Sequence, residues 1–215
     1  MIERTIAATV HGRYIVAPPV MADSAPILVG FHGYAEAAEH QLERLRAIPG
    51  ADRWIIVSVQ GLNRFYQRRT NEVIAGWMTR EHRELAIADN RAYVGSVVAA
   101  VRREWPVSGG LVCAGFSQGV AMAFRAAVTA DAVEGVIAVG GDVPPEIDDA
   151  SLARVRAALV CRGVRDEWYT ADIFAKDVVR LRAANVAATA LEFDGGHEWS
   201  ADVIRAAAAF LNEHR

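Results

Sequence analysis

Two kinds of hydrophobic pattern alternate along this chain. Short runs rich in β-branched residues are typical of buried strands, and longer segments with apolar residues every three or four positions are typical of amphipathic helices. Their regular alternation predicts an α/β fold, with a mostly parallel twisted sheet and helices on both faces. The strand pattern occurs at residues 27–31, 54–59, 111–116, 136–139, 158–162 and 188–193.

Two stretches depart from this alternation. Residues 5–10 and 13–17 flank His11-Gly12, a spacing that predicts an antiparallel hairpin at the N-terminus. Residues 61–80 follow neither period and predict a long irregular connection, which in a compact domain is usually functional.

Length and composition limit the classes of protein to consider. At 215 residues the chain is near the upper limit for one hydrophobic core, so we expect a single domain over residues 1–215. The 53% of hydrophobic residues are enough to exclude intrinsic disorder. A formal net charge of −3, without a basic tail, argues against a nucleic-acid partner and leaves a homodimer open.

The compartment is indicated by the N-terminus and the cysteines. Glu3 stands where the apolar run of a signal peptide would begin, and no window of 18 apolar residues could span a membrane. Cys113 and Cys161 lie in apolar runs that a third strand separates, which places them roughly 9–10 Å apart, beyond disulfide reach. We therefore expect two buried thiols in a cytoplasmic protein without a membrane partner.

A serine motif carries the chemistry. Gly115-Phe116-Ser117-Gln118-Gly119 lies between a predicted buried strand and an amphipathic helix. Such a turn projects the serine oxygen above the sheet, and its glycines are needed because the backbone is crowded there. The five-residue motif alone occurs by chance, so it is the flanking strand and helix that predict Ser117 as a nucleophile.

A serine hydroxyl needs a base, and the base in turn needs an acid. His197 follows the last predicted strand and two glycines, where the chain order serine, acid, histidine places the base. Asp166, after the penultimate strand, is the preferred acid, and Asp142, after the strand before that, remains a rival. Asp194 is too close to His197 in sequence to reach its far nitrogen.

The turn after the first parallel strand supplies a second set of groups. An oxyanion formed at Ser117 needs two backbone N–H donors, and we assign them to Gln118 and Tyr34. His32, in the same turn as Tyr34, is expected to brace it and not to act as a second base.

The 61–80 connection offers an apolar wall for a substrate through Phe65, Tyr66, Trp77 and Met78. Its arginines either form a solvated basic loop or receive an anionic group of the substrate. These arginines are Arg64, Arg68, Arg69 and Arg80.

With these residues identified, the chain resembles the phospholipase/carboxylesterase family of α/β-hydrolases, close to its small acyl-protein thioesterase-like enzymes. The resemblance implies an α/β-hydrolase fold with little or no cap and a serine esterase for small to medium acyl groups. No metal or organic cofactor is expected. The same triad acting on peptides or thioesters, and an inactive binding module, remain alternatives. The matching segments, between residues 30 and 200, are Phe31-His32-Gly33-Tyr34, Gly115-Phe116-Ser117-Gln118-Gly119, Gly163-x-x-Asp166 and Gly195-Gly196-His197-Glu198.

The chain departs from the family pattern at two positions. Val120 stands where a second glycine commonly follows the serine motif, and Tyr34 stands where a smaller or aliphatic residue is frequent. Both bear on the class of substrate and not on the type of reaction.

Overall fold

A computed structural model describes residues 1–20 and 23–215, in which strands and helices alternate as the pattern predicts. The strands are β1 (Tyr14–Ala17), β2 (Ala25–Phe31), β3 (Ile55–Val59), β4 (Asn63–Tyr66), β5 (Val73–Gly76), β6 (Val107–Phe116), β7 (Val133–Val139), β8 (Ala157–Gly163) and β9 (Ala187–Phe193). The helices are α1 (Ala38–Arg46), α2 (Arg83–Glu104), α3 (Gln118–Ala127), α4 (Asp149–Leu152), α5 (Ala171–Ala183) and α6 (Ala201–Glu213), with a short 3₁₀ helix at Ala51–Arg53.

The main sheet has the strand order β1-β3-β2-β6-β7-β8-β9, and every pair is parallel except β1 with β3. Its register aligns the carboxyl ends of the central strands. Phe31 of β2 lies opposite Gly115 of β6, and Val139 of β7 lies between Phe116 of β6 and Cys161 of β8. The turns that follow these strands therefore share one edge, which is where ligands bind in sheets of this kind.

Helices bury both faces of this sheet, because its strands carry apolar side chains on each side. On one face, Val97 of α2, Phe124 of α3 and Leu181 of α5 belong to one core cluster. On the other, Leu45 of α1 and Phe210 of α6 belong to a second. Among the described residues, no helix is both long enough and apolar enough to cross a membrane.

Two of the local predictions are wrong. Residues 5–10 form no strand and are exposed, so there is no N-terminal hairpin. Instead β1 pairs antiparallel with β3, whose free edge offers it a buried partner. The backbone at Gly12 packs against the ring of Tyr93, whose hydroxyl donates to the Arg13 carbonyl at 2.6 Å. The second error concerns residues 61–80, which hold the antiparallel ribbon β4–β5 and are not irregular throughout.

The cysteine prediction is confirmed. Cys113 lies on β6 and Cys161 on β8, with β7 between them, and both are free and buried. Burial raises the pKa of Cys113 to about 12 and also raises the pKa of Cys161. Both thiols are therefore protonated and shielded at neutral pH, and so unreactive.

Two glycines allow a matched test of the packing. A Cβ on Gly95, exposed in α2, would meet no heavy atom within 4 Å, so we expect Gly95→Ala to raise the free energy of unfolding by about 0.5–1 kcal/mol. A Cβ on Gly119 would collide with the Phe31 and His32 carbonyl oxygens, so Gly119→Ala should destabilise. Urea denaturation measures both variants. A Gly119→Ala variant as stable as wild type would contradict the packing described.

Candidate active site

Ser117 occupies the sharp turn between β6 and α3. Its backbone has φ 52° and ψ −122°, a sparsely populated conformation of the kind that clusters at functional sites. Its N–H donates to the Val139 carbonyl at 2.9 Å, which ties the turn to the neighbouring strand. A Cβ on Gly115 would collide with the Gly119 carbonyl, and one on Gly119 with the Phe31 carbonyl. The glycines of the motif are thus required by close packing, as the sequence predicts.

Asp166 and His197 are joined directly. His197 Nδ1 lies 2.8 Å from Asp166 Oδ2, and the carboxylate is fully buried. The other oxygen, Oδ1, accepts the backbone N–H groups of Trp168 at 2.9 Å and Tyr169 at 3.0 Å. Because a carboxylate only accepts, Nδ1 carries the proton in this contact and Nε2 is left free to take one.

The turn that carries Asp166 is held by buried polar groups. The Arg162 Nε donates to the Tyr169 carbonyl at 2.9 Å. The Tyr169 hydroxyl and the Val143 N–H both donate to Asp177 Oδ2, at 2.9 and 3.0 Å. Burial raises the pKa of Asp177 and that of Tyr169. These bonds connect the turns after β7 and β8 through α5, and so fix where the Asp166 carboxylate lies.

The two other candidate acids lie elsewhere. Asp142, in the turn after β7, is exposed and makes no hydrogen bond to His197. Asp194 is also exposed and forms an ion pair with Arg165. The structure therefore brings Asp166, and neither alternative, to the imidazole.

The His197 ring packs beside the serine turn. Its centroid lies 5.0 Å from that of Phe116, the residue before Ser117, and a Cβ on Gly140 would lie 3.1 Å from its Cε1. Within residues 1–20 and 23–215, no hydrogen bond joins the Ser117 hydroxyl to His197. Catalytic hydrogen bonds of this kind are often long without substrate and tighten when it binds.

The two expected oxyanion donors lie on neighbouring turns. Gln118 is the first residue of α3, so its N–H has no partner within the helix. In the turn after β2, the Gly33 N–H donates to Glu36 at 2.7 Å and the Ala35 N–H to the Ala75 carbonyl at 2.9 Å. The N–H between them, that of Tyr34, has no acceptor among the described residues and can donate to another group.

His32 braces the turn, as its position predicts. Its Nε2 accepts the Gly61 N–H at 2.9 Å, so Nδ1 donates to the Gly33 carbonyl at 2.7 Å. Burial lowers the pKa of His32, which keeps the ring neutral and able to accept. With both nitrogens engaged, His32 has no nitrogen left to act as a base.

The side chain of Gln118 has a role that the sequence analysis missed. Its Oε1 accepts the Trp77 N–H at 2.7 Å, and its Nε2 donates to the Met78 carbonyl at 3.1 Å. The residue after the nucleophile therefore holds the segment that follows β5 against the serine turn. The motif carries an amide at this position, but nothing in it indicates which backbone that amide meets.

A cleft of about 340 Å³ opens at Ser117 and Gln118. Of the four predicted wall residues, only Met78 lines it, together with groups from the turns after β7 and β8 and from α5 that the sequence analysis did not assign to a substrate wall. These are Asp142, Pro144, Trp168, Tyr169 and Ile173. A larger groove of about 760 Å³ between α2 and α3 includes none of the proposed catalytic residues, so size alone does not locate the site.

The other three predicted wall residues lie outside this cleft. Trp77 is fully buried, edge-on to Phe31 at 5.6 Å between centroids, and offers a substrate no surface, so its assignment is wrong. Its indole N–H donates to the His32 carbonyl at 2.8 Å. Phe65 and Tyr66 are exposed on β4, and the Phe65 ring lies 5.7 Å from that of Tyr34. Phe65 therefore flanks the turn that carries Tyr34.

The arginines of residues 61–80 also lie outside the cleft, which instead includes Arg83 and Arg125. Arg64 donates to the His11 carbonyl at 2.9 Å, and Arg68, Arg69 and Arg80 are exposed, in agreement with the solvated-loop interpretation. In the part of the chain that the structure describes, no group of three His, Cys, Asp or Glu side chains is arranged to hold a metal ion.

The neutrality of His32 predicts a pH dependence of stability. Because its pKa is lower in the folded protein than in the unfolded chain, stability falls as the pH drops below about 6.5, the ordinary histidine value. His32→Gln cannot be protonated there. The difference in the free energy of unfolding between wild type and this variant should therefore shrink as the pH falls, by at most about 1.4 kcal/mol per pH unit. Urea denaturation from pH 8 to pH 5 measures the difference, and a constant difference would contradict the lowered pKa.

Known proteins resemble this chain in fold but not closely in sequence. No family model matches the chain, and no curated protein matches its sequence. Solved structures do match its fold. The esterase PE8 is 18% identical, with a TM-score of 0.74 over 96% of this chain and 100% of that one. Acyl-protein thioesterase 2 of Zea mays is 14% identical, with a TM-score of 0.75 over 95% and 99%.

A phospholipase/carboxylesterase from Dyadobacter fermentans is 19% identical, with a TM-score of 0.71 over 96% of this chain and 99% of that one. At these identities the likeness establishes the fold. The chain has the α/β-hydrolase fold, and its structural neighbours include carboxylesterases and acyl-protein thioesterases of the type that its motifs resemble.

Proposed function

We propose that this chain is a serine hydrolase that cleaves carboxylic esters of small to medium acyl groups through an acyl-enzyme on Ser117. The hydrogen bond between buried Asp166 and His197, whose ring packs against the residue before Ser117, carries this proposal. Structural neighbours with the same fold support it, because they are named as esterases and thioesterases.

In the first half of the reaction, Ser117 Oγ attacks the carbonyl carbon of the ester while His197 Nε2 takes the hydroxyl proton. The carbonyl oxygen becomes an oxyanion, which accepts hydrogen bonds from the backbone N–H groups of Gln118 and Tyr34. Asp166 holds the imidazole in the tautomer that can accept at Nε2, and it stabilises the imidazolium that forms.

In the second half, the bond from the carbonyl carbon to the alcohol oxygen breaks, and His197 gives its proton to the leaving alcohol. Water then attacks the acyl-enzyme, losing a proton to His197, and the acid product leaves as Ser117 regains its hydrogen. Every step is a proton or acyl transfer, for which we expect no metal or organic cofactor.

The small cleft supports a small-molecule ester as the partner. Its volume of about 340 Å³ lies at the lower end of the usual range for ligand sites. Thioesters would use the same groups, and a structural neighbour named as a thioesterase keeps them as the second candidate. An inactive binding module would have no need for the strained Ser117 turn and the buried Asp166–His197 pair together.

Replacing the nucleophile tests the proposal. Ser117→Ala removes the attacking oxygen, so we expect kcat on p-nitrophenyl esters to fall by a factor on the order of 10⁶. A fluorophosphonate probe should label wild type and not this variant. Ser96→Ala, an exposed position on α2, is the matched control and should keep both activities. Ester hydrolysis that survives Ser117→Ala would refute the nucleophile assignment.

Replacing the acid tests the choice between the two aspartates. Asp166→Asn keeps an acceptor for the N–H groups of Trp168 and Tyr169, but its amide no longer holds the productive imidazole tautomer. We expect kcat to fall by roughly 10⁴. Asp142→Asn should lower kcat far less, because that carboxylate does not contact His197. Steady-state kinetics on one ester compare the variants, and if Asp142→Asn is the crippling change, the acid is Asp142.

A further inference from the structure

One ion pair lies behind the candidate active site. Glu36 is in the turn after β2, and Arg44 is on α1. The guanidinium grips both carboxylate oxygens, with Nη1 at 2.6 Å from Oε2 and Nη2 at 2.5 Å from Oε1. Both side chains are only 19% exposed. A two-bond contact of this kind fixes the relative orientation of its partners as well as their separation.

The carboxylate of this pair also holds the oxyanion turn. Glu36 Oε2 accepts the Gly33 N–H at 2.7 Å. On the far side of the turn, the Glu36 carbonyl accepts the Ala75 N–H at 2.8 Å, and Ala35 has a left-handed backbone with φ 59°. The Tyr34 N–H therefore lies between two residues, Gly33 and Ala35, whose own N–H groups are both held by hydrogen bonds.

The guanidinium of the pair reaches the other half of the site. Arg44 Cζ lies 4.2 Å from the centroid of the Phe116 ring, close enough for a cation–π contact. The same ring lies 5.0 Å from that of His197. Gly33 lies between the two parts, because a Cβ there would be 3.1 Å from both Glu36 Oε2 and Phe116 Cδ1.

A contribution to stability does not by itself account for this pair. Taking two charges out of water largely cancels their attraction, so a mostly buried pair is weak evidence for stability. Burial raises the pKa of Glu36, but the hydrogen bonds from Arg44 and the Gly33 N–H lower it more, to below its usual value. The pair is therefore ionised at neutral pH. Its position is fixed at the Glu36 end by the Gly33 N–H and at the Arg44 end by the Phe116 ring.

We propose that Glu36 and Arg44 are positioning residues of the active site. Glu36 orients the turn that presents the Tyr34 N–H to the oxyanion, and Arg44 holds the Phe116 ring against which His197 packs. The inference rests on the proposed function, since it concerns the same reaction. It adds that one ion pair sets the geometry of both the oxyanion donor and the base.

Kinetics of three variants test the inference. Losing an oxyanion donor outright costs about 10²–10³ in kcat, so a displaced donor and base should lower kcat roughly 10–100-fold in Arg44→Met. Glu36→Gln, which keeps an oxygen for the Gly33 N–H, should lose less. Arg44→Lys keeps the charge without the planar fork and should rescue only part of the loss. KM should change little, because the oxyanion is absent from the bound substrate and develops only as the reaction proceeds.

A transition-state analogue gives a second measurement. Ser117 adds to the carbonyl of an aryl trifluoromethyl ketone, whose oxygen then becomes an oxyanion in the same place. The inhibition constant of this analogue should increase across the variants in proportion to the loss of kcat/KM. If the pair only stabilised the fold, the inhibition constant would not follow kcat/KM, because a less stable but correctly shaped site binds the analogue normally.

The Arg13–Glu39 pair provides a matched control. Glu39 is also on α1 and is also gripped through both oxygens, but the pair is about half exposed and contacts neither Gly33 nor Phe116. Arg13→Met and Glu39→Gln should therefore keep the kcat of wild type. Circular dichroism melts show which variants are folded at the assay temperature, and if Arg44→Met is not, Arg44→Lys and Glu36→Gln decide.

The possible results separate the two proposals. Wild-type protein that neither reacts with a fluorophosphonate nor hydrolyses esters overturns the proposed function, and the positioning role with it. An active wild type whose folded Arg44 and Glu36 variants keep kcat and analogue affinity overturns the positioning role alone. Equal losses in the Arg13→Met control would overturn it too, since any ion pair on α1 would then have the same effect.

Discussion

Gly119 lies against the carbonyl oxygens of Phe31 and His32, with no room between them for a Cβ. This contact brings the first turn of α3 against the end of β2. It sets the distance between the Gln118 N–H, at the start of α3, and the Tyr34 N–H, three residues beyond Phe31. Both donors are backbone groups, so no rotamer can move them. The geometry expected to stabilise an oxyanion is therefore a property of how two strand ends pack.

The same dependence explains which parts of the site the sequence predicts. Ser117, Asp166 and His197 each follow a strand, and parallel strands end at one edge, so chain order and the strand pattern suffice to bring these residues together. The choice of Asp166 over Asp142 needed more. Both follow a central strand, and the structure distinguishes them by the burial of Asp166 and by its hydrogen bond at 2.8 Å to His197. Strand periodicity contains no information about where a side chain points once the strand has ended.

The errors arise where tertiary contacts override local pattern. An antiparallel hairpin is a sound local prediction for residues 5–17, but β3 offers β1 a sheet edge, and residues 5–10 have no comparable partner. Trp77 is an aromatic residue in a stretch without period, which suggests a surface role. It is buried by packing against Phe31, and its indole and backbone N–H groups donate to His32 and Gln118. No sequence window includes those partners.

The charges at the cleft bear on what it can accept. Arg125 is almost fully buried, and its Nε and Nη2 both bond to one oxygen of Glu146, so most of its charge is already compensated. Arg83, half exposed at the cleft, lies 3.6 Å from the other oxygen of Glu146, and Asp142 adds a carboxylate among the lining residues. The two arginines of the cleft are thus both paired with Glu146, and Asp142 places a carboxylate beside them. A substrate with a net charge of either sign would meet a like charge as well as an opposite one, whereas a neutral ester meets no such penalty. For the proposed function we therefore expect neutral esters to be preferred over substrates with the anionic group that the arginines of residues 61–80 suggest.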